Sequence, residues 1–324
     1  MHLTQQTYAE LQRIYNQPLF DLLHEARSVH KIHWPHTEIQ LCTLLSVKTG
    51  GCSEDCSYCA QSARYSTGVQ AEKLMSIEDV LEKAKKAREN GSTRFCMGAA
   101  WKGIRDGDKK FEQMLEIIRE VGQLGMEVCV TLGQVGPVEA EKLKAAGVTA
   151  YSHNIDTSPE HYSNIVSTHT FQDRLNTIAA VQQAGMSVCC GGILGLGETV
   201  KDRLRMLEVL CNFHPAPESV PINCLVPISG TPLQESPPVD IFEIVRLIAT
   251  TRIALPTSKV RLAAGRTGLS RETQALCFYA GANSMFYGNK LLTTPNPAAN
   301  EDLHLLKLLD LTPAPFQNNT PLPI

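Results

Sequence analysis

The chain has 324 residues, of which 43% are hydrophobic and 19% are charged, so it is long enough to bury a large core. Its 33 acidic and 30 basic side chains give a net charge of −3, which favours a small-molecule partner over nucleic acid or an anionic membrane. The amino terminus is polar and no run of about 18 apolar residues occurs, so we expect neither a signal peptide nor a membrane span.

Cysteine usage is the most unusual feature of the composition. Eleven cysteines, an odd number, occur in a chain too long to need disulfide bonds for stability. Without a secretory signal, roles in metal binding or catalysis are favoured over cross-links. Because the cytoplasm keeps thiols reduced, we expect a cytoplasmic protein.

The chain begins with a helical extension, for which we predict helical sequence over about 4–30 and a boundary at 1–38. A pattern of strand, amphipathic helix and glycine then recurs. The clearest helix covers 76–90, where Ser76 and Asp79 resemble a capping box and Val80, Ala84 and Ala87 lie on one apolar stripe. Glycines follow this helix and several later ones, as is typical of helix ends.

Eight strand candidates alternate with these helices. They begin near Ile39, Thr93, Glu127, Thr149, Ser187, Ser219, Lys259 and Asn283. Eight such units predict an α/β fold, a (β/α)8 TIM-type barrel over 39–290. An open doubly wound sheet is the alternative, but the glycine-rich phosphate-binding turn typical of that fold is missing.

After the barrel we predict a carboxy-terminal tail, residues 291–324. It contains a short amphipathic piece at 302–309 and ends in the proline-rich sequence TPAPFQNNTPLPI, so we expect it to be partly disordered.

Three cysteines follow the first predicted strand in a CxxxCxxC loop: Cys52, Cys56 and Cys59. Their thiolates can hold one face of a metal centre, and three ligands leave a coordination position open for chemistry. A zinc loop with its fourth ligand elsewhere in the chain is the alternative. The carboxyl end of a barrel strand is where catalytic sites occur, which favours the first interpretation.

With Tyr58 before its last cysteine, this loop resembles the signature of the radical S-adenosylmethionine superfamily. The resemblance implies a 4Fe–4S cluster on the three loop cysteines, with S-adenosylmethionine bound at the fourth iron through its amino and carboxylate groups. It further implies that an electron from the cluster splits the sulfonium and releases a 5′-deoxyadenosyl radical.

Three more cysteines lie inside strand candidates: Cys96, Cys129 and Cys189. Alternate residues of a strand share a face, so thiols from three strands converge if these faces point into the barrel. A buried cysteine is otherwise simply a small apolar residue, which is the alternative for each one taken alone.

Together, the sequences TRFCMGAAW, EVCVTLG and VCCGGILGLGE around these cysteines resemble strand motifs of the biotin synthase family. The resemblance implies a 2Fe–2S cluster on the three thiolates. It implies Arg261, in VRLAAGR, as the fourth ligand, although a guanidinium ordinarily has no lone pair to offer. The other five cysteines are expected to have no ligand role, although Cys42 could face this site: Cys42, Cys190, Cys211, Cys224 and Cys277.

Polar residues end the fourth predicted strand. By alternation Ser152, Asn154 and Asp156 share a face, and the resemblance implies that Asn154 and Asp156 bind the ribose of S-adenosylmethionine. A helix-capping turn is the alternative interpretation of this segment. The family usually has an asparagine at Ser152, in a position associated with the cyclic urea of the substrate.

The sixth predicted strand carries Asn223 in an otherwise apolar run, and a buried amide needs partners. The resemblance implies that Asn223 binds the substrate urea. It also implies that the backbone at Ala99 and Ile193, together with Tyr58, contacts S-adenosylmethionine.

These features predict a homodimeric sulfurtransferase that converts dethiobiotin to biotin, as the resemblance implies. The carbon radical of the substrate would take up a sulfide of the 2Fe–2S cluster, and a flavodoxin-like protein would supply electrons one at a time. One alternative is another radical enzyme of this barrel group, such as a methylornithine-synthase-like mutase or a hydrogenase-maturation protein. A non-catalytic iron–sulfur or zinc protein is the other.

Overall fold

The computed structural model describes residues 6–316, in which parallel strands form a closed barrel surrounded by helices. Every predicted strand is present, and each begins within one residue of its expected position. The strands are β1 (Glu38–Lys48), β2 (Arg94–Ala99), β3 (Glu127–Thr131), β4 (Ala150–Ser152), β5 (Ser187–Cys189), β6 (Gly192–Leu194), β7 (Ser219–Cys224), β8 (Lys259–Leu262) and β9 (Ser284–Phe286). The TIM-type barrel is therefore confirmed.

The barrel closes because β1 pairs in parallel with both β2 and β9. β5 and β6 together occupy the fifth barrel position, where β5 pairs with β4 and both pieces pair with β7. The break between them contains Gly191, where a Cβ atom would lie 2.0 Å from the carbonyl oxygen of Pro221. Glycine is thus required here so that two barrel strands can approach closely.

The helices cover the outer face of the barrel. They are α1 (Tyr8–Tyr15), α2 (Leu19–His33), α3 (Ile77–Glu89), α4 (Lys109–Gly122), α5 (Pro137–Ala145), α6 (Phe171–Gln183), α7 (Val200–Cys211), α8 (Ile241–Ala254), α9 (Arg271–Tyr279) and α10 (Ala299–Leu308). In α3 the Ser76 hydroxyl accepts a hydrogen bond from the Asp79 amide at 3.1 Å, and Val80, Ala84 and Ala87 are buried. The predicted cap and apolar stripe are both present, because burying this stripe against the barrel stabilises the helix.

The amino-terminal extension is helical, as predicted, and consists of two helices separated around Pro18. They pack on α7 and α8 at the outside of the barrel. Arg246 on α8 donates to the carbonyl oxygens of Tyr15 and Gln17 at 2.9 and 2.8 Å, which fixes the connection between the two helices.

The carboxy-terminal segment returns to the barrel. After α10, the two-residue strand β10 (Thr312–Pro313) pairs in parallel with the start of β1. A buried ion pair holds α10, since Arg266 donates to both carboxylate oxygens of Asp302 at 2.6 and 2.7 Å. The rest of the predicted tail, residues 317–324, lies outside the described residues, and the division at 290 and 291 stays a prediction.

We expect Asp302→Ala to lower the free energy of unfolding by about 3–5 kcal/mol, because it leaves the Arg266 guanidinium buried without its counter-ion. Urea unfolding followed by far-ultraviolet circular dichroism under anaerobic conditions measures the change. His304→Ala, on the exposed face of the same helix, is the matched control. Equal unfolding midpoints for the two variants would contradict the prediction.

Candidate active site

The three-cysteine loop lies at the carboxyl end of β1. Cys56 is buried, and Cys52 and Cys59 are half-buried. The Cys59 amide donates to the Cys56 carbonyl at 2.9 Å, and the Cys52 amide donates to the carbonyl of Gln61 at 2.9 Å. These bonds fold the loop back on itself, and all three cysteines line one cavity.

Two carboxylates fix this loop to the segment that precedes α6. Glu54 Oε2 lies 2.5 Å from His169 Nδ1, and Glu54 Oε1 lies 3.1 Å from Lys102 Nζ. Asp55 accepts from the Ser167 amide at 2.9 Å. Burial alone would raise the pKa of Asp55, but the hydrogen bonds from Ser167 outweigh it and hold that pKa below its usual value. The loop is thus oriented by charged partners that do not touch its thiols.

Burial shifts the loop thiols towards their protonated forms. It raises the pKa of Cys52 and Cys56, and it raises the pKa of Cys59 to about 11. A thiol in apolar surroundings is unreactive by itself, whereas a bound metal stabilises the thiolate. The environment therefore suits metal ligands better than a free nucleophile.

A second group of thiols lies deeper in the barrel. Cys96 and Cys129 are direct neighbours across β2 and β3, and Cys189 comes from β5. Each is at most 3% exposed. Arg261 on β8 donates from Nη1 to the Cys189 sulfur at 3.2 Å. The four residues that the sequence grouped together are thus brought into one interior region, although their roles stay predictions.

Arg94 provides a second cation beside these thiols. Its Nε donates to Glu127 at 2.6 Å and its Nη2 donates to Glu218 at 2.9 Å. Its Nη1 is buried and has no hydrogen-bond partner among the described residues. Burial alone would lower the pKa of Arg94. The nearby Glu218, Glu127 and thiols raise it by more than burial lowers it, so the guanidinium stays charged. The unpartnered nitrogen is a donor available to an anionic group.

One cavity of about 350 Å³ is lined by all three loop cysteines and, from the deeper group, by Cys96 and Arg261. Cys129 and Cys189 are buried and do not line it. Its wall also includes every other residue for which we predicted a contact: Tyr58, Ala99, Ser152, Asn154, Asp156, Ile193 and Asn223. Cavities of this size, largely apolar with a few polar groups, are typical of small-molecule sites.

Asp156 occupies a strained position in the cavity wall, with a φ of +64°. Its carboxylate accepts from the Tyr58 hydroxyl at 3.0 Å and from Arg174 Nη2 at 3.1 Å. β4 already ends at Ser152, so strand alternation is not what turns Asn154 and Asp156 towards the cavity. The left-handed turn and the ion pair with Arg174 place the carboxylate instead.

The two asparagines in the cavity wall are partly engaged by the backbone. Asn154 Oδ1 accepts from the Gly191 amide at 3.1 Å. Asn223 Nδ2 donates to the Gly192 carbonyl at 2.9 Å, and its Oδ1 accepts from the Ala264 amide at 3.2 Å. A side-chain amide has two donor hydrogens and two acceptor lone pairs, so each side chain is fixed and retains capacity for a ligand.

Sequence reasoning missed Arg174 and His169. Arg174 Nε donates to Tyr162 at 2.7 Å, and His169 Nε2 lies 2.8 Å from the same hydroxyl, so both belong to the network behind Asp156. Nothing in the sequence around them distinguishes them from ordinary surface residues. Cys224, for which we expect no ligand role, is the last residue of β7 and also lines the cavity.

Among residues 6–316, no three side chains of His, Cys, Asp or Glu converge closely enough to hold a single metal ion. In the same part of the chain, no helix has the length and apolar character needed to cross a membrane.

Known proteins resemble this chain both in sequence and in structure. Residues 46–210 match the Radical SAM superfamily, and residues 221–312 match the Biotin and Thiamin Synthesis associated domain. Methylornithine synthase has the same fold, with a TM-score of 0.79 at 18% identity over 96% of this chain and 94% of that one. The FeFe-hydrogenase maturase HydG from Carboxydothermus hydrogenoformans has a TM-score of 0.81 at 19% identity, over 97% of this chain and 77% of that one. The fold and the cysteine loop therefore define an enzyme of the radical S-adenosylmethionine superfamily.

Curated relatives narrow this class. The biotin synthase of Gloeobacter violaceus is 55% identical over 96% of this chain and 98% of its own length. The biotin synthase of Myxococcus xanthus is 54% identical over 94% of this chain and 88% of its own. The chain belongs to the biotin synthase family.

Proposed function

We propose that the chain inserts sulfur into dethiobiotin to form biotin, with S-adenosylmethionine as the source of the radical. The observation that carries this proposal is that one cavity is lined both by the three loop cysteines and by Cys96 and Arg261 of the second group. A reaction that needs a radical source and a sulfur source on two sides of one substrate requires this arrangement.

The loop cysteines are the proposed ligands of a 4Fe–4S cluster. Their raised pKa values and their position on the cavity wall fit thiols that become thiolates only when they bind metal. A 4Fe–4S cluster held by these three thiolates would supply the electron that cleaves S-adenosylmethionine. Glu54 and Asp55 hold the loop in place through their bonds to the segment before α6.

Polar residues around the middle of the cavity are the proposed contacts of S-adenosylmethionine. Asn154 and Asp156 offer an amide and a carboxylate to the ribose hydroxyls, while Tyr58 and the backbone at Ala99 and Ile193 line the same space. Arg174 provides a cation beside Asp156 that suits the carboxylate of the methionine part.

The deep thiols Cys96, Cys129 and Cys189 are the proposed ligands of a 2Fe–2S cluster, with Arg261 as the fourth. The unpartnered Nη1 of Arg94 supports an anionic group at this place, because a buried donor without a partner is costly. A cluster held there would supply the sulfur atom. The chain itself encloses the site among buried side chains, which excludes water and competing hydrogen donors from a carbon radical.

Asn223 and Ser152 are the proposed contacts of the cyclic urea of dethiobiotin. Both line the cavity between the two groups of cysteines. The backbone bonds of Asn223 fix its amide, so its remaining donor and acceptor sites are preorganised for a urea. Ser152 is shorter than the asparagine that the family usually has, so the space beside it suits a bridging water.

We expect Asn223→Ala to raise the KM for dethiobiotin about 5- to 20-fold, which corresponds to one or two lost hydrogen bonds. 5′-Deoxyadenosine release without substrate should change little, since Asn223 makes no contact with the cysteine loop. Steady-state kinetics of biotin formation provide the measurement. Cys224→Ala, the neighbouring position on the same cavity wall, is the matched control, and an equal rise in KM there would remove the specific role of Asn223.

The proposed reaction is tested by anaerobic reconstitution with iron and sulfide, followed by dithionite, S-adenosylmethionine and dethiobiotin. Mass spectrometry measures 5′-deoxyadenosine and biotin in the same sample, and we expect both. Release of 5′-deoxyadenosine without biotin, with both clusters intact, would reject dethiobiotin as the substrate. The absence of both products with intact clusters would favour a non-catalytic iron–sulfur protein.

We further propose a homodimer that works in the cytoplasm and receives electrons one at a time from a flavodoxin-like protein. All eleven cysteines lie within the described residues and none is disulfide-bonded, which fits a reducing compartment.

A further inference from the structure

A fifth thiol, Cys42, lies beside the deep group of cysteines. It is on β1, is fully buried, and packs in one small cluster with Cys96, Cys129 and Ala150. In the strand register it is the direct neighbour of Arg94 on one side and of Phe286 on the other. Its side chain therefore points into the barrel, towards the same region as the proposed cluster ligands.

Cys42 shares both of its hydrogen-bond partners with Arg261. The sulfur lies 3.5 Å from Gln40 Oε1, to which Arg261 Nη2 donates at 3.3 Å. It also lies 3.7 Å from Ser284 Oγ, to which Arg261 Nε donates at 2.9 Å. Thiol and guanidinium thus converge on the same two polar atoms from different strands.

Two buried cations lie in the same region as Cys42. Arg261 and Arg94 are both buried, and Arg94 Nη1 has no partner among the described residues. The carboxylates of Glu127 and Glu218 are bound to the other two nitrogens of Arg94. Arg94 Nη1 is therefore left as a donor for an anionic group beside these thiols.

Chemistry favours sulfur over nitrogen at this place. A guanidinium has no lone pair to donate, whereas cysteine thiolate is the usual ligand of a 2Fe–2S cluster. We propose that Cys42 is an alternative fourth ligand of the deep cluster, in competition with Arg261. With such a cluster bound, Cys42 would take the place of Arg261 without any transfer of electrons, and the proton of its thiol would pass to the guanidine that it displaces. This inference rests on the proposed function, since it requires a 2Fe–2S cluster at the deep site.

The test compares cluster binding, not turnover, in four proteins: wild type, Arg261→Ala, Cys42→Ser/Arg261→Ala and the matched control Cys277→Ser/Arg261→Ala. Cys277 is as fully buried as Cys42 but lies on α9. After anaerobic reconstitution, Mössbauer and absorption spectra quantify each cluster type and report whether its two irons have the same ligands.

We expect Arg261→Ala and its Cys277→Ser control to retain the 2Fe–2S cluster, with two equivalent irons held by four thiolates. The Cys42→Ser/Arg261→Ala protein should bind this cluster at least about tenfold more weakly. If it retains the cluster with the spectrum of Arg261→Ala, or if Arg261→Ala itself loses the cluster, Cys42 is no ligand.

Two further readouts make the test decisive. Normal 4Fe–4S content in each variant shows that the barrel has folded. If the Arg261→Ala protein does not fold, Arg261→Leu, which fills more of the vacated volume, takes its place. A wild-type protein with no 2Fe–2S cluster would instead overturn the proposed function.

Discussion

Cys129→Ala should abolish biotin formation while 5′-deoxyadenosine release remains measurable. Cys129 is fully buried between Cys96 and Ala150 and does not line the cavity, so its removal alters the deep site and leaves the cysteine loop untouched. Loss of an outer-shell partner of a metal site typically costs about 10- to 100-fold, so loss of a proposed ligand should cost at least about 100-fold.

The ratio of the two products measures this separation of activities. Both are quantified by mass spectrometry in one anaerobic reaction with dithionite. Cys190→Ala is the matched control, because Cys190 is an equally buried thiol one residue from Cys189 that packs in the main core. If Cys129→Ala forms as much biotin as the wild type, the deep thiols do not hold the sulfur source.

Cys56→Ala should abolish both products. Cys56 is the most buried cysteine of the loop, and its carbonyl accepts from the Cys59 amide, so it lies at the centre of the proposed 4Fe–4S site. Two remaining thiolates cannot hold a cluster that needs at least three protein ligands, and we expect both rates to fall by at least about 100-fold.

Iron content separates this result from general unfolding. Cys56→Ala should lose the 4Fe–4S absorption and keep that of the deep cluster, because the two groups of cysteines come from different strands and loops. Cys211→Ala, a half-buried thiol on α7, is the control and should keep both clusters and both products. Unchanged 5′-deoxyadenosine release by Cys56→Ala would contradict the assignment of the loop.

The barrel and the convergence of its thiols were predictable from sequence because both depend on short-range periodicity. Alternation within a strand fixes which side chains point inward. The parallel order then places Cys96 and Cys129 on adjacent strands and Cys189 two strands further, beyond β4. This reasoning holds where strands are regular. It gave the wrong reason for the placement of Asp156, because Asp156 lies beyond the last residue of β4.

The role of Arg261 could not be predicted from the local sequence pattern. Its charge argues against a metal ligand, so only the family resemblance nominated it. The structure adds a contact of 3.2 Å with the Cys189 sulfur, which no local pattern contains. The hydrogen bond of Glu54 with His169 and the ion pair of Asp156 with Arg174 were equally inaccessible, because each joins segments that are distant in sequence and locally unremarkable.

The pairing of β1 with β9 determines when the barrel can close during synthesis. Gln40 and Ser284 are bonded across 244 positions of sequence, so the seam of the barrel joins the beginning of the chain to its end. Contacts between such distant residues form slowly because a long loop must close first. During synthesis the ribosome delivers β9 last among the barrel strands. Until then the barrel cannot close, so the interior that carries the deep thiols is not yet enclosed.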